Sequence, residues 1–317
     1  QEIKEALFLL LLQKKEEASI NYAVTKPSIK VIDYALTSIK PIYPNKLIFY
    51  AFSFLFGSFL PFIIIYLKFS LDTKIHTRDQ VSNLFKSLPI IGEIPYILFD
   101  DEIKNIINVK SRSILSESIR MIIANLNFVL FNDIKLKTKN NLILVTSSIK
   151  GEGKTIVSVN TASALSSKFN KVLLIGADLR NPQIHKFLDI DKNNVGLSDF
   201  IYKKNMNWKN TIIRNNNLDI MISGTIPPNP TMLLSSDKFK QLIEEVKKEY
   251  DYVIIDSAPC LLVSDTFEIS KFADTTLYVI RSNFTDSKLA DFINECNEEG
   301  KLSNIGLVIN GLGNSGA

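Results

Sequence analysis

The sequence predicts an α/β fold, a doubly wound, mostly parallel sheet in a P-loop NTPase-type domain, preceded by one transmembrane helix. Three observations carry this. Short apolar runs (LILVTS, KVLLIGA, LDIMIS, YVIIDS, TLYVIR, IGLVIN) alternate with helical segments through residues 142–310, the pattern of a parallel sheet covered on both faces. A loop with two glycines and a lysine, SSIKGEGKT, lies between the first of these runs and a helical segment. Residues 47–67, LIFYAFSFLFGSFLPFIIIYL, carry no charge and are bracketed by Lys46 and Lys68. At 1.5 Å per residue they make a helix of roughly 31 Å, about the hydrocarbon thickness of a bilayer. Gly57 and Pro61 do not oppose this, since spanning helices tolerate both.

The N-terminal stretch QEIKEALFLLLLQKKEEASI begins without Met and reads as the end of a helix, so the chain is expected to be a fragment of a longer protein. Its apolar run, residues 6–12, is too short to cross a bilayer. SIKPIYPNK, with Pro41 and Pro44, reads as an extended connector. Lysines flank the span on both sides, so charge asymmetry does not orient it. Nucleotide chemistry requires cytoplasmic ATP and places Lys68 onwards inside. The expected organisation is an extracytoplasmic remnant at 1–46, the span at 47–67, a cytoplasmic linker at 68–110 and a nucleotide-binding domain at 111–317. That domain opens with an amphipathic helix, SILSESIRMIIANLNFVLF, whose stripe Leu115, Ile119, Ile122, Leu126 and Val129 fits a 3.6 period.

With 46% hydrophobic and 22% charged residues over 317 positions and a net charge of +4, the balance calls for no nucleic-acid partner. Cys260 and Cys296 form no disulfide framework and are expected as buried thiols in a reducing compartment. His76 and His185 are expected as a linker and a surface histidine rather than a metal pair.

The phosphate-loop pattern asks for G-x-x-x-x-G-K-[ST] between a strand and a helix. Ser148 takes its first position, and Gly153, Lys154 and Thr155 complete it. Gly151 and Gly153 let the backbone N–H groups converge on phosphate oxygens, and the following helix adds its positive end. Lys154 is expected to reach the β- and γ-phosphates of ATP and Thr155 to ligate Mg²⁺. Glu152 and Ile156 complete the candidate nucleotide-binding loop. Asp178 and Arg180 follow one strand in VLLIGADLRNP, and Asp256 ends another in YDYVIIDSAP. Two aspartates at strand ends opposite a Lys-Thr pair can position Mg²⁺ and take a proton from a nucleophile. Alone, each is equally well a turn or cap residue.

Together these stations resemble the bacterial tyrosine autokinases of capsule and exopolysaccharide assembly. In that family a loop ending GEGKT is coupled to a DLRxP motif, here Asp178, Arg180 and Pro182, and to a DxxP motif, here Asp256 and Pro259. SGTIPPNPTMLLSS, PNK before the span and LPIIGEIP after it also resemble family segments, so the likeness covers residues 31–310. The resemblance implies γ-phosphoryl transfer from Mg-ATP to tyrosine on a neighbouring subunit. Catalysis falls to Lys154, Asp178 and Asp256, and metal binding to Thr155, Asp178 and Asp256. Asp178 acts as base or second metal-positioning group, Asp256 holds Mg²⁺ through water, and Asn310 and Arg180 contact the nucleotide. It further implies a bacterial inner (cell) membrane location with a cytoplasmic kinase domain, and work alongside polysaccharide polymerisation and export machinery. A homo-oligomeric ring through the helix bearing Glu117 and Arg120 is the expected assembly.

Three departures stand out. Gly176 replaces the first Asp of the second motif, and Ile123 replaces the second Arg of Glu-x-x-Arg-x-x-Arg. No Tyr follows Tyr278, so the family's tyrosine-rich acceptor tail is expected to be supplied in trans, with little autophosphorylation. Two other readings stay open on the sequence: a partition-type ATPase switch, and a non-catalytic chain-length scaffold.

Overall fold

Each of the six apolar runs becomes a strand, because β-branched and aliphatic residues in short stretches bury both faces of a pleated ribbon. In the computed structural model the described residues are 2–24, 33–34, 43–96, 113–131, 141–166, 170–203, 205–215 and 218–313. The chain divides into two units, Gln1–Phe69 and Ser70–Ala317.

The first unit contains helix α1 (Glu2–Val24), exposed along its described length, and most of α2 (Lys46–Ser70). The α2 helix is long and apolar enough to cross a membrane, with a hydropathy of 2.2 over its best window and none of that window buried in protein. It exceeds the expected 47–67 span by a residue before and three after.

The second unit begins with α3 (Arg78–Leu84), β1 (Ile90–Pro95) and α4 (Ile114–Phe131), followed by β2 (Asn141–Ser147), α5 (Lys154–Ser166) and β3 (Val172–Gly176). Short helices α6 (Ile184–Phe187) and α7 (Leu197–Tyr202) lead to β4 (Ile213–Asn215) and β5 (Leu218–Met221). Then come α8 (Pro230–Leu234), α9 (Asp237–Glu249), β6 (Tyr252–Asp256), α10 (Asp265–Ser270), β7 (Thr275–Arg281), α11 (Leu289–Glu298) and β8 (Ile305–Leu312). The sheet order is β1-β8-β7-β2-β6-β3-β5-β4, parallel throughout except for the β4–β5 pair. Alternate residues of the central strands serve opposite cores. Leu142 and Leu144 pack with α9 and α11, whereas Ile143 and Val145 pack with α4 and α5.

Residues 68–110 were expected as a linker, and for 70–96 the structure corrects that. Strand β1 pairs with β8, and α3 is nucleated by a capping box in which Thr77 and Gln80 bond each other's backbone N–H. Ile75, Val81 and Phe85 are buried in the core. The domain thus starts at about Ser70, not at 111. Residues 97–110 lie outside the described residues.

In α4 the predicted stripe faces the core at Leu115, Ile119, Ile122 and Leu126; the side chain of Val129 lies outside the described set. Ile123 is 2% exposed and packs with this stripe. An apolar residue there serves the core, which accounts for the missing second Arg of the interface pattern. Glu117 and Arg120 pair with each other at 2.7 Å on the exposed face. Both cysteines are buried free thiols.

Candidate active site

The phosphate loop leaves β2 at Ser147 and enters α5 at Lys154. Gly151 and Gly153 have φ of +97° and +98°, a region that disfavours any side chain. A Cβ at Gly153 would also stand 2.1 Å from Asn310 Nδ2. Ser148 is not in the left-handed region, so glycine is not required at the motif's first position. Its hydroxyl shares a 2.9 Å hydrogen bond with that of Tyr278 on β7.

Far-separated residues hold this loop in shape. Arg281 donates to the Gly151 carbonyl at 2.8 Å, and Asn310 Nδ2 donates to that of Glu152 at 2.8 Å. The Glu152 side chain is fully buried, accepting from Ile149 N–H at 2.7 Å and from the Thr285 hydroxyl. Burial pushes its carboxyl up, and those two donors oppose the shift. The Glu152 side chain thus faces into the protein and sets the shape of the loop.

Two buried pairs form the centre. Lys154 Nζ lies 3.0 Å from Asp178 Oδ2, with both side chains under a tenth exposed. Thr155 Oγ1 donates to Asp256 Oδ2 at 2.9 Å. Parallel pairing of β2 with β6, and of β6 with β3, brings the strand ends carrying these residues side by side. Asp178 Oδ1 accepts the Asn181 N–H at 2.9 Å, which fixes the carboxylate within its turn. Asp256 Oδ1 is buried and has no hydrogen-bond partner among the described residues. The nearby Ser158 hydroxyl donates instead to the Lys154 and Thr155 carbonyls. Burial pushes Asp256 up to about 6, although Lys154 and Thr155 favour its charged form. An orphaned carboxylate oxygen beside the loop threonine fits Mg²⁺, a hard cation that takes oxygen ligands and keeps several waters.

A cavity of about 300 Å³ opens above this centre. Gly151, Gly153, Lys154, Thr155, Ile156 and Asn310 all line it, together with Tyr96 and Gly311. Asp178 and Asp256 sit beneath it in their pairs with Lys154 and Thr155. Arg180 does not line this cavity. It forms a two-pronged pair with buried Asp265 at 2.7 and 3.1 Å and reaches Thr231, which ties β3's loop to α10. Sequence reasoning missed Arg281 and Thr285; only their place at the end of β7 and in the loop after it brings them to the phosphate loop. Gly176 also has a structural reason. A Cβ there would lie 2.8 Å from Ser223 Oγ and 3.1 Å from its backbone nitrogen.

The AAA domain family matches residues 140–307, just over half of the chain. A tyrosine-protein kinase, ptk, of Acinetobacter johnsonii is 29% identical over all of this chain and 44% of its own length. A protein of Klebsiella pneumoniae named "putative tyrosine-protein kinase in cps region" is 28% identical over 97% of this chain and 44% of its own. The chain thus spans less than half the length of these relatives. Among solved structures, the kinase domain of Escherichia coli tyrosine kinase ETK is similar over 77% of this chain and 97% of its own, with a TM-score of 0.66 and 25% identity. The BceF tyrosine kinase domain is similar over 76% and 100%, with a TM-score of 0.64 and 28% identity.

Proposed function

The chain belongs to the AAA domain family, and we propose that its second unit is a Mg-ATP-dependent protein tyrosine kinase anchored in the bacterial cell membrane by α2. The observation that carries this reading is the convergence of Lys154–Asp178 and Thr155–Asp256 beneath one cavity. The kinase names of its relatives and structural neighbours support it.

In this mechanism the backbone N–H groups of the glycine loop receive the phosphates, and Lys154 turns from Asp178 towards the β- and γ-phosphoryl oxygens. Thr155 and Asp256 would hold Mg²⁺, which would neutralise charge on the phosphates. Asp178, released from its ion pair, accepts the tyrosyl proton while the tyrosyl oxygen bonds to the γ-phosphorus and the bond to the β-phosphate oxygen breaks. Asn310, whose amide nitrogen is bonded to the Glu152 carbonyl, lines the cavity and meets the adenine. From the family resemblance, the second unit faces the cytoplasm, assembles with copies of itself through the helix of Glu117 and Arg120, and acts on polysaccharide polymerisation and export.

The test is incubation of the full chain in detergent with γ-labelled ATP, Mg²⁺ and a tyrosine peptide. The expected result is label on tyrosine, lost in Asp178→Asn while nucleotide binding persists. Full transfer by Asp178→Asn would reduce Asp178 to a turn residue. ATP hydrolysis without tyrosyl phosphate on any acceptor would replace the kinase with an ATPase switch.

A further inference from the structure

A second cavity, of about 470 Å³, adjoins the nucleotide cavity: Asn181 and Gln183 line both. Its wall contains Arg180, His185, Lys186 and Lys192, and no carboxylate is among its lining residues. Asp265 neutralises Arg180, but Lys186 and Lys192 are exposed and have no carboxylate within ion-pairing distance among the described residues. Asp199, close to the far wall, is taken up by the Gly196 N–H and by Thr225. Burial pushes the His185 imidazole down, and both lysine ammonium groups add to that shift, so the groove carries positive potential next to a histidine. The floor at Ser223–Gly224 comes from the loop after β5.

The shared residues fix where this groove leads. Asn181 is bonded through its N–H to Asp178, the carboxylate that faces the acceptor hydroxyl in the kinase mechanism. A peptide lying in the groove would present a side chain past Asn181 and Gln183 to that carboxylate. We propose that this groove seats the acceptor segment and selects for acidic residues flanking the target tyrosine, read by Lys186 and Lys192. This deepens, and rests on, the kinase reading. A concave site lined by backbone and side-chain amides as well as cations suits a peptide better than a flat anionic surface.

The experiment compares two peptides on the full chain in detergent, one with a single tyrosine between glutamates and one with serine and glycine in their place. The unmodified chain should prefer the glutamate peptide, and added salt should erode that preference. In Lys186→Glu/Lys192→Glu, kcat/KM on the glutamate peptide should fall by about tenfold through KM, with the neutral peptide and the KM for ATP unchanged. Equal losses on both peptides, or none, would overturn the proposal. A dye-labelled glutamate peptide with Phe in place of Tyr reports the groove without chemistry, by anisotropy in the presence of ADP and Mg²⁺. If neither tyrosine peptide is phosphorylated yet the Phe peptide binds and the double variant loses it, the groove stands and the kinase reading falls. If the Phe peptide binds no more tightly than its neutral counterpart, the groove proposal falls, whatever the fate of the kinase reading.

Discussion

Two loops that follow neighbouring strand ends are built in opposite ways. The phosphate loop after β2 is held by Arg281, Thr285 and Asn310, contributed from at least 130 residues away in sequence. The stretch after β3, from Asp178 to Asn193, is held mainly by its own turns: Asp178 to Asn181, Gln183 to Asn181, Asp191 to Asn193. Its ties beyond the stretch are Asp178 to Lys154 and Arg180 to Asp265 and Thr231. Bonds between distant segments open only when the sheet end opens, whereas turns closed within a few residues open locally. The first design suits a ligand of fixed shape such as a triphosphate. The second suits a wall that must accept differing peptides.

The largest expected effect comes from removing the charge that joins the two loops. Lys154→Met deprives Asp178 of its partner and the phosphates of their cation, and transfer should fall by about a thousandfold or more, with nucleotide affinity falling alongside. Titration with a fluorescent nucleotide and a phosphotyrosine assay read both, and unchanged affinity would remove the loop's assignment.

Asp256→Asn should abolish transfer as well, but with an opposite effect on stability. The folded pKa of Asp256, about 6, lies above its unfolded value of 3.8. Its proton therefore stabilises the fold below about pH 4, and that contribution is lost as pH rises through 6. At pH 8 without metal the unmodified chain carries a buried charge that the amide lacks. The variant should be more stable there by on the order of 3 kcal/mol and nearly equal at pH 4. Melting curves at the two pH values decide it, and a variant less stable at pH 8 would contradict the burial argument.

A smaller effect tests the clamp. Thr285→Val leaves the buried Glu152 carboxylate short of a donor, at a cost of about 1–3 kcal/mol, and should weaken nucleotide binding by roughly tenfold. Calorimetry with ADP would show it; an unchanged affinity would mean the loop keeps its shape unaided. The smallest effect belongs to the looser wall. Asp191→Ala removes one exposed turn bond and should change stability by less than about 0.5 kcal/mol, with nucleotide affinity intact. A loss as large as that of Thr285→Val would erase the contrast between the loops.

That contrast also marks what could be read in advance. Lys154, Thr155, Asp178 and Asp256 were legible because each sits in a short local pattern at a strand end, where parallel sheets place their ligands. Six strands were legible as apolar runs bounded by turns. Strand β1 was not, because Gly92, Glu93 and Pro95 break its apolar pattern and its identity comes from pairing with β8, over two hundred residues later. Strand β4 is three residues long and antiparallel, too short for any periodicity. Arg281 and Thr285 belong to no motif; only the closing of the sheet brings them to Gly151 and Glu152. Arg180 read as a nucleotide ligand because its motif is local, while its partner Asp265 lies 85 residues on.

The contact between Gly176 and Ser223 sets the order in which this chain could change. An acid at position 176 would put its Cβ against the Ser223 hydroxyl, so that substitution requires the Ser223 side chain to turn away. Shortening Ser223 to glycine removes the nearest obstacle and leaves approaches of 3.1 Å to the Ser223 backbone nitrogen and 3.2 Å to Ile184 Cδ1, which shifts of a few tenths of an ångström would relieve. The two sites are therefore epistatic. A second carboxylate beside Asp178 is accommodated more readily once position 223 is shortened.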